Sequence, residues 1–480
     1  MNFPTLWSAA VRHCAACAAS LSLAFAESPS LTPKIPSPDF AAAHEETVKI
    51  LTEFIRVDTV NPPGNETRGA EFLKAIFDKE GIASEIFYLE KSRGNIVARI
   101  KGNGKKKPLM LMGHLDVVGV EREKWTVDPF AGVIKDGYLY GRGASDDKGM
   151  ASVCLEVFIL LHRLRIPLDR DVIFLAEAGE EGTTHVGIDF MVAKHWDKIE
   201  CEFALNEGGG IKEVNGRVQY VGVSTTEKVP RTILLSAKGT SGHGSRPRPD
   251  NAIVHLSAAV AKIGTWQPPM RLNETTRAYF SKLSKLVSPE EAFLFSHLED
   301  PNLSLLVQEK LRVSNIAANS MLRTSISPNI IKGGFRVNVI PGDALATLDV
   351  RSLPDEDMDL FLEMMRKVIN DPTIEIVPAW GTTGRPATPP SPLDSELFRA
   401  LERSQQRVFP GAATLPMMLT GATDSAQLRA KGVKAYGLGP LFTDGDSSRA
   451  HGNDERVLIA GLKPFLELIF HTVIDIAATK

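Results

Sequence analysis

The chain is poor in cysteine, weakly charged overall and almost without long apolar runs. Only 4 of its 480 residues are Cys, which excludes a small fold held by a disulfide framework. With 58 acidic against 55 basic side chains the formal net charge is −3. No basic field is available to hold a nucleic-acid backbone, and nucleic acid is not an expected partner. Gly 38 and Pro 30 leave no collagen-like or low-complexity bias. Beyond the N-terminus no stretch reaches the roughly 18 uninterrupted apolar residues of a membrane helix, so the mature chain is expected to be soluble, with no membrane span. What remains is a chain long enough for about three domains, or two large ones, at roughly 150 residues each.

The N-terminus has its own pattern. Arg12 precedes a small and apolar run from Cys14 to Ala26 that ends in Ala24-Phe25-Ala26, the small-x-small signature of a signal-peptidase site. Residues 1–26 therefore read as a signal peptide and the product as exported, periplasmic or extracellular; a cytosolic N-terminus is the alternative. Cleavage there would leave only Cys154 and Cys201. Residues 27–43, with four prolines between Ser28 and Pro38, read as an extended leader.

From there helical and strand periods alternate. Val48, Leu51, Phe54 and Ile55 mark one helical face, and Phe72, Leu73, Ile76 and Phe77 another. Short apolar runs follow at Ile96–Ile100, Leu109–Met112, Val172–Ala176 and Phe203–Leu205. Such alternation implies an α/β fold with a parallel or mixed sheet. After about Thr225 the rhythm changes. A strand at Ile233–Ala237, a helix at Asn251–Ile263, strands at Phe335–Val339 and Ala344–Val350, a helix at Met358–Ile369 and a strand at Ile374–Val377 give the order of a ferredoxin-like split unit. The expected organisation is a catalytic domain in two parts, 44–224 and 381–480, interrupted by an α+β domain at 225–380. Residues 267–312 form a charged, helix-leaning segment inside that insertion.

Chemistry shows in where the polar residues fall. Leu109–Met112 runs into Gly113-His114-Leu115-Asp116, Val172–Ala176 into Glu177 and Glu180-Glu181-Gly182, and Phe203–Leu205 into Asn206-Glu207-Gly208. Three apolar strands each deliver carboxylate or imidazole at their carboxyl ends, where open α/β sheets form their ligand crevice. Gly141–Gly149 adds Asp146 and Asp147 before a helix, and Ala450-His451-Gly452-Asn453-Asp454-Glu455 adds a second imidazole. Singly, each has an ordinary explanation: a strand-end histidine, a solvated turn, a helix N-cap. Together, so many carboxylates in one crevice call for cations to neutralise them. Two zinc ions would be balanced by Asp146, Glu181, Glu207 and a hydroxide, with His114 and His451 completing nitrogen and oxygen ligation suited to zinc. Co²⁺ or Mn²⁺ are alternatives.

The segments around His114, Asp146, Glu180-Glu181, Glu207, His243 and His451 resemble the M20 family of metallopeptidases, over about residues 44–475. That family includes carboxypeptidases, aminoacylases, dipeptidases and succinyl-diaminopimelate desuccinylases. The resemblance implies a two-zinc catalytic domain and an inserted lid domain often used for homodimerisation. It implies that His114, Asp146 and Glu207 hold one zinc and Asp146, Glu181 and His451 the other, with Asp116 orienting His114 and a cis peptide after Asp146. Glu180 is implied as general base, His243 as the oxyanion-stabilising lid histidine, contributed in dimers by the neighbouring subunit. Arg351 is implied as the clamp for a substrate α-carboxylate and Gly421 as part of a substrate loop. One departure stands out: many relatives place arginine directly after the Asp-Ser pair, where this chain has Ala426. The function so implied is cleavage of a small peptide by a carboxypeptidase or dipeptidase. The alternatives are an N-acyl-amino-acid amidohydrolase and an inactive binding protein on the same fold.

Overall fold

Strands that are apolar at every position need both faces covered, and Leu109–His114 and Val172–Glu177 are buried at each of their six residues. The computed structural model describes residues 35–380, 384–443, 445–446 and 449–479; Pro36–Thr479 form one unit. The expected signal peptide at 1–26 lies outside the described residues. Asp39 caps the first helix, Phe40–Ile55, by accepting from the amides of Ala41 and Ala42. Phe40–Ala43 are therefore its first turn and not the end of an extended leader, because the cap supplies acceptors that the helix start lacks.

Among the described residues the larger sheet has ten strands. Leu109–His114 lies between Val172–Glu177 and Phe203–Glu207, parallel to both, and Lys434–Leu438 continues parallel beyond them. Met110, Met112, Ile173 and Leu175 pack on one face with Ile188, Met191 and Ile199. The helix Lys148–Arg163 contacts the same two strands, and the helices Phe40–Ile55 and Ile459–Ala477 pack against it. The last of these brings the C-terminal part of the chain back to the first.

A second, four-stranded antiparallel sheet runs in the order Ser325–Gly333, Asp343–Ser352, Val229–Lys238, Ile374–Pro378. Ile233, Leu235, Leu348 and Val350 form a core with the helices Ala252–Thr265 and Met358–Ile369. Chain order and sheet order are those of the ferredoxin-like unit. One strand differs from expectation: it lies at Ser325–Gly333, not Phe335–Val339. This edge strand is exposed over most of its length and includes Pro328, so it carries no apolar alternation, and an edge tolerates proline. Phe335 and Val337 are exposed beyond the turn at Gly334.

The 267–312 segment begins a set of helices at Glu274–Leu283, Pro289–Ser296, Ser304–Ser314 and Ile316–Met321. Tyr279, Phe280, Leu294 and Val307 share a core with Leu415 and Met418 of the strand Ala413–Leu419. That strand pairs with Arg217–Glu227 of the large sheet, so the helices inserted in the smaller unit pack on the larger one.

Candidate metal centre

Parallel register sets His114 opposite Glu177 and Leu111 opposite Leu205. The carboxyl ends of three neighbouring strands therefore open into one crevice, as the rule for α/β sheets requires. Buried His114 makes a 2.9 Å hydrogen bond from Nδ1 to the backbone oxygen of Asp116, with that residue's carboxylate at 3.5 Å. Its Nε2 faces Asp146 Oδ1 at 3.1 Å. Burial lowers the pKa of His114, but its bonds to Asp116 and Asp146 outweigh this and raise it well above the ordinary value.

Asp116 does more than orient one imidazole. Its Oδ2 accepts from Asn61 Nδ2 at 2.8 Å and from the Glu181 amide at 3.0 Å, and its Oδ1 accepts from the Glu180 amide at 3.1 Å. One buried carboxylate thus positions His114 and the whole Glu180-Glu181 turn. Asp146 is positioned from the far end of the chain. Glu455 Oε1 accepts from the amides of Ser145 and Asp146 at 2.8 and 3.0 Å, while its Oε2 takes Arg142 Nη1 at 2.6 Å. The peptide between Asp146 and Asp147 is cis.

His451, at the tip of its loop with φ of 60°, reaches Glu181 Oε1 at 2.7 Å and Asp146 Oδ2 at 3.1 Å through Nε2. Those two carboxylates, Asp146 foremost, raise its pKa to about 10. Burial, then Glu180, pushes Glu207 well above the usual carboxylate range. Two groups of donor atoms result, His114 with Asp146 and Glu207, and Asp146 with Glu181 and His451; within each, all lie within 4.8 Å of one another. Asp146 belongs to both. Imidazole and carboxylate donors at this spacing fit two divalent cations of the zinc class sharing one carboxylate. A cation would compete with protons for Nε2 of His114 and of His451.

Glu180 belongs to neither group. Its carboxylate pairs with the Arg385 guanidinium, which also donates to the Glu180 backbone oxygen at 3.1 Å and to Asp424 Oδ1 at 3.0 Å. Burial pushes Glu180 up to about 8 against the pull of Arg385 and His114. Glu177 is buried, and its pKa is raised by burial and then by Asp424. Sequence reasoning had no signal for Arg385, which lies in no motif. Glu455 did lie in the quoted His451 loop, only four residues on, without a role.

The remaining expected residues lie elsewhere. His243 is exposed on a two-residue strand paired with Val339–Ile340, its Nδ1 accepting from the Ser245 amide at 3.1 Å. Arg351, on the ferredoxin-like sheet, is held by Asp349 of its own strand at 2.8 and 3.2 Å. Gly421 is exposed with nothing near the place a side chain would occupy. None of the three joins the donor groups within the chain.

Residues 110–475 match peptidase family M20/M25/M40. The chain is 30% identical over 417 residues to a Dictyostelium discoideum protein named probable carboxypeptidase S-like 2, covering 84% of this chain and 78% of that one. It is 28% identical over 378 residues to the human N-fatty-acyl-amino acid synthase/hydrolase PM20D1, covering 76% and 74% of the two chains. The M20 family metallo-carboxypeptidase Sso-CP2 from Sulfolobus solfataricus shares the two-domain fold, with a TM-score of 0.68 at 21% identity over 90% of this chain and 99% of that one.

Proposed function

The chain belongs to peptidase family M20/M25/M40, and on that premise we propose a two-zinc hydrolase that cleaves an amide bond next to a free α-carboxylate, acting as an exported carboxypeptidase or dipeptidase. The observation that carries this reading is the sharing of Asp146 between two donor groups, with Glu180 beside them in neither. His114, Asp146 and Glu207 would hold one cation, and Asp146, Glu181 and His451 the other. Bound cations supply Lewis acidity toward the scissile carbonyl and make water acidic enough to ionise near neutral pH.

The reaction is R–CO–NH–R′ + H₂O → R–COO⁻ + R′–NH₃⁺. Water oxygen bonds to the carbonyl carbon and the C–N bond breaks. Glu180 takes the first proton that water releases and returns it to the leaving nitrogen. The second water proton, left on the new carboxylic acid, passes to the free amine to give the carboxylate and the ammonium. Arg385 aims the Glu180 carboxylate and offsets the charge of its neighbours. His243 donates to the oxyanion that develops on the carbonyl, and Arg351 takes the α-carboxylate as a bidentate fork. Gly421 contributes to the loop beside the substrate.

His243 acts across a homodimer in this reading. The unpaired edge strand Ser325–Gly333 exposes Ile330 and Ile331, and the adjacent helix exposes Ile253 and Val254, a surface of the kind that pairs with a second copy. A second reading, hydrolysis of N-acyl amino acids at the same centre, is supported by the human relative's name. A panel of peptides and acylated amino acids, with free and amidated carboxyl ends, separates the two on zinc-loaded protein. Glu180→Gln is expected to keep its zinc and lose about 10²–10⁴ in kcat; full turnover with full metal content would reject the assignment. N-terminal sequencing of secreted protein is expected to begin at Glu27.

A further inference from the structure

The crevice continues past the metal donors into a cavity of about 570 Å³ that none of these roles uses. Asp146 and Glu207 are part of its lining. Its apolar wall includes Tyr220, Met417, Leu419, Leu441 and Phe442. Part of the wall is bare backbone, and the absence of side chains there keeps the space open. A Cβ on Gly208 would come within 2.5 Å of the Leu419 side chain, and one on Gly210 within 2.6 Å of the Phe442 ring. The volume lies within the roughly 300–1,000 Å³ of ligand sites.

The lining carries the carboxylates Asp146, Asp147, Glu207 and Asp446, and its cation is already matched. Arg456, the one cation among the described lining residues, is held by Asp446 at 2.9 Å and the Tyr140 hydroxyl at 2.7 Å. Its guanidinium also sits 3.9 Å from the centre of the Tyr138 ring. Lys212 lies against the Phe442 ring at 5.1 Å and does not line the cavity. A substrate carboxylate would lose its hydration here without gaining a partner, whereas an aliphatic group would leave water for an apolar wall.

We propose that this cavity is the acyl subsite, which takes an aliphatic group attached to the carbonyl of the scissile amide. The assignment rests on the reading above. If the free carboxylate belongs to the leaving amine, it is drawn toward a cation elsewhere, and the acyl side of the substrate faces Met417 and Leu419. The aliphatic group has two sources, a fatty-acyl chain or the apolar side chain of a peptide residue. Each methylene that leaves water tightens binding about fourfold, so length is the variable that reads the cavity.

Zinc-loaded Glu180→Gln protein, which should bind without turning over, is titrated calorimetrically with N-acetyl-, N-octanoyl- and N-dodecanoyl-leucine and with Ala-Leu and Leu-Leu. The octanoyl compound is expected to bind at least about 100-fold tighter than the acetyl one. That ratio is expected to fall at least tenfold when Leu419→Trp or Met417→Glu is added, with circular dichroism reporting that each variant is folded. Equal affinity across the acyl series and the dipeptide pair overturns the proposal, as does a ratio that survives both substitutions in folded protein. Preference for dodecanoyl-leucine over Leu-Leu identifies the lipid source, and the reverse identifies peptides; either supports the subsite. The same compounds with zinc-loaded wild-type protein test the hydrolysis separately. Binding that depends on chain length without any turnover sinks the reaction and leaves the subsite standing. Turnover with no dependence on chain length in either measurement does the opposite.

Discussion

In the larger sheet the strands Leu109–His114 and Val172–Glu177 are buried at every residue, whereas in the ferredoxin-like sheet Asp343–Ser352 alternates between buried and partly exposed positions. The first arrangement leaves no solvent-facing side, so polar groups can enter only at strand ends, and they gather there in low-dielectric surroundings. The second puts its polar residues beside water. Arg351 shows the consequence: it is paired with Asp349 in a half-exposed bridge, of a kind generally worth little. Arg142, by contrast, is bound to Glu455 in the interior, both nearly inaccessible, where removing one partner strands the other's charge. Chemistry that needs perturbed carboxylates and bound cations belongs to the first kind of surface, and in the proposed function the contacts of Arg351 and His243 with substrate belong to the second.

Substitutions can break or sharpen this contrast. The largest effect is expected for Asp146→Ala, which removes a donor from both groups: zinc content by atomic emission should fall for both ions and kcat should drop by at least about 10³. Next is Glu455→Gln, which touches no donor atom of either group but holds the Asp146 and Ser145 amides; zinc affinity, measured by competition with a chelator, is expected to weaken about 10- to 100-fold. On the smaller sheet's side, His243→Ala is expected to cost about 10² in kcat with unchanged zinc content. Activity should return in part when it is mixed with Glu180→Gln, because a mixed dimer would pair one intact centre with one intact histidine. Should His243→Ala strip zinc as Asp146→Ala does, the division between the two regions would fail.

The smallest effect is on stability and tests burial of charge away from the metals. Glu156 lies inside the helix Lys148–Arg163 with neither carboxylate oxygen bonded, and burial, then Glu46, raises its pKa to about 8. The folded chain therefore holds this proton more tightly than the unfolded one. The stability this contributes is complete below the ordinary value of 4.5 and is lost as pH rises through about 8. Glu156→Gln removes that loss, so its Tm relative to wild type is expected to climb between pH 5 and pH 8. A difference independent of pH would show that the carboxylate is ionised in the folded chain.

Much of the crevice was legible because apolar runs that end abruptly in His114, Glu177 or Glu207 leave few places for those residues except the carboxyl end of a buried strand. The helices of the smaller unit were legible for a similar reason, their apolar residues recurring on one face. Ser325–Gly333 was not, since an exposed edge strand needs no apolar alternation and its pairing partners lie from eleven (Gly333 with Ala344) to twenty-six (Ser325 with Arg351) residues away. Arg385 was invisible because a guanidinium declares nothing locally about which carboxylates it will meet.

Local chemistry along the chain determined the two kinds of sheet, the residue types at the strand ends and the helix caps, because burial period and capping act over a few residues. Only the tertiary structure decided that Glu455 holds Asp146 in place, that Arg385 ties Glu180 to Asp424, and that a cavity with an apolar wall opens beside Glu207. Those relations join residues from 39 to 309 positions apart. They depend on which strand ends the crossovers bring to one edge, a property of through-space neighbours that no local period encodes.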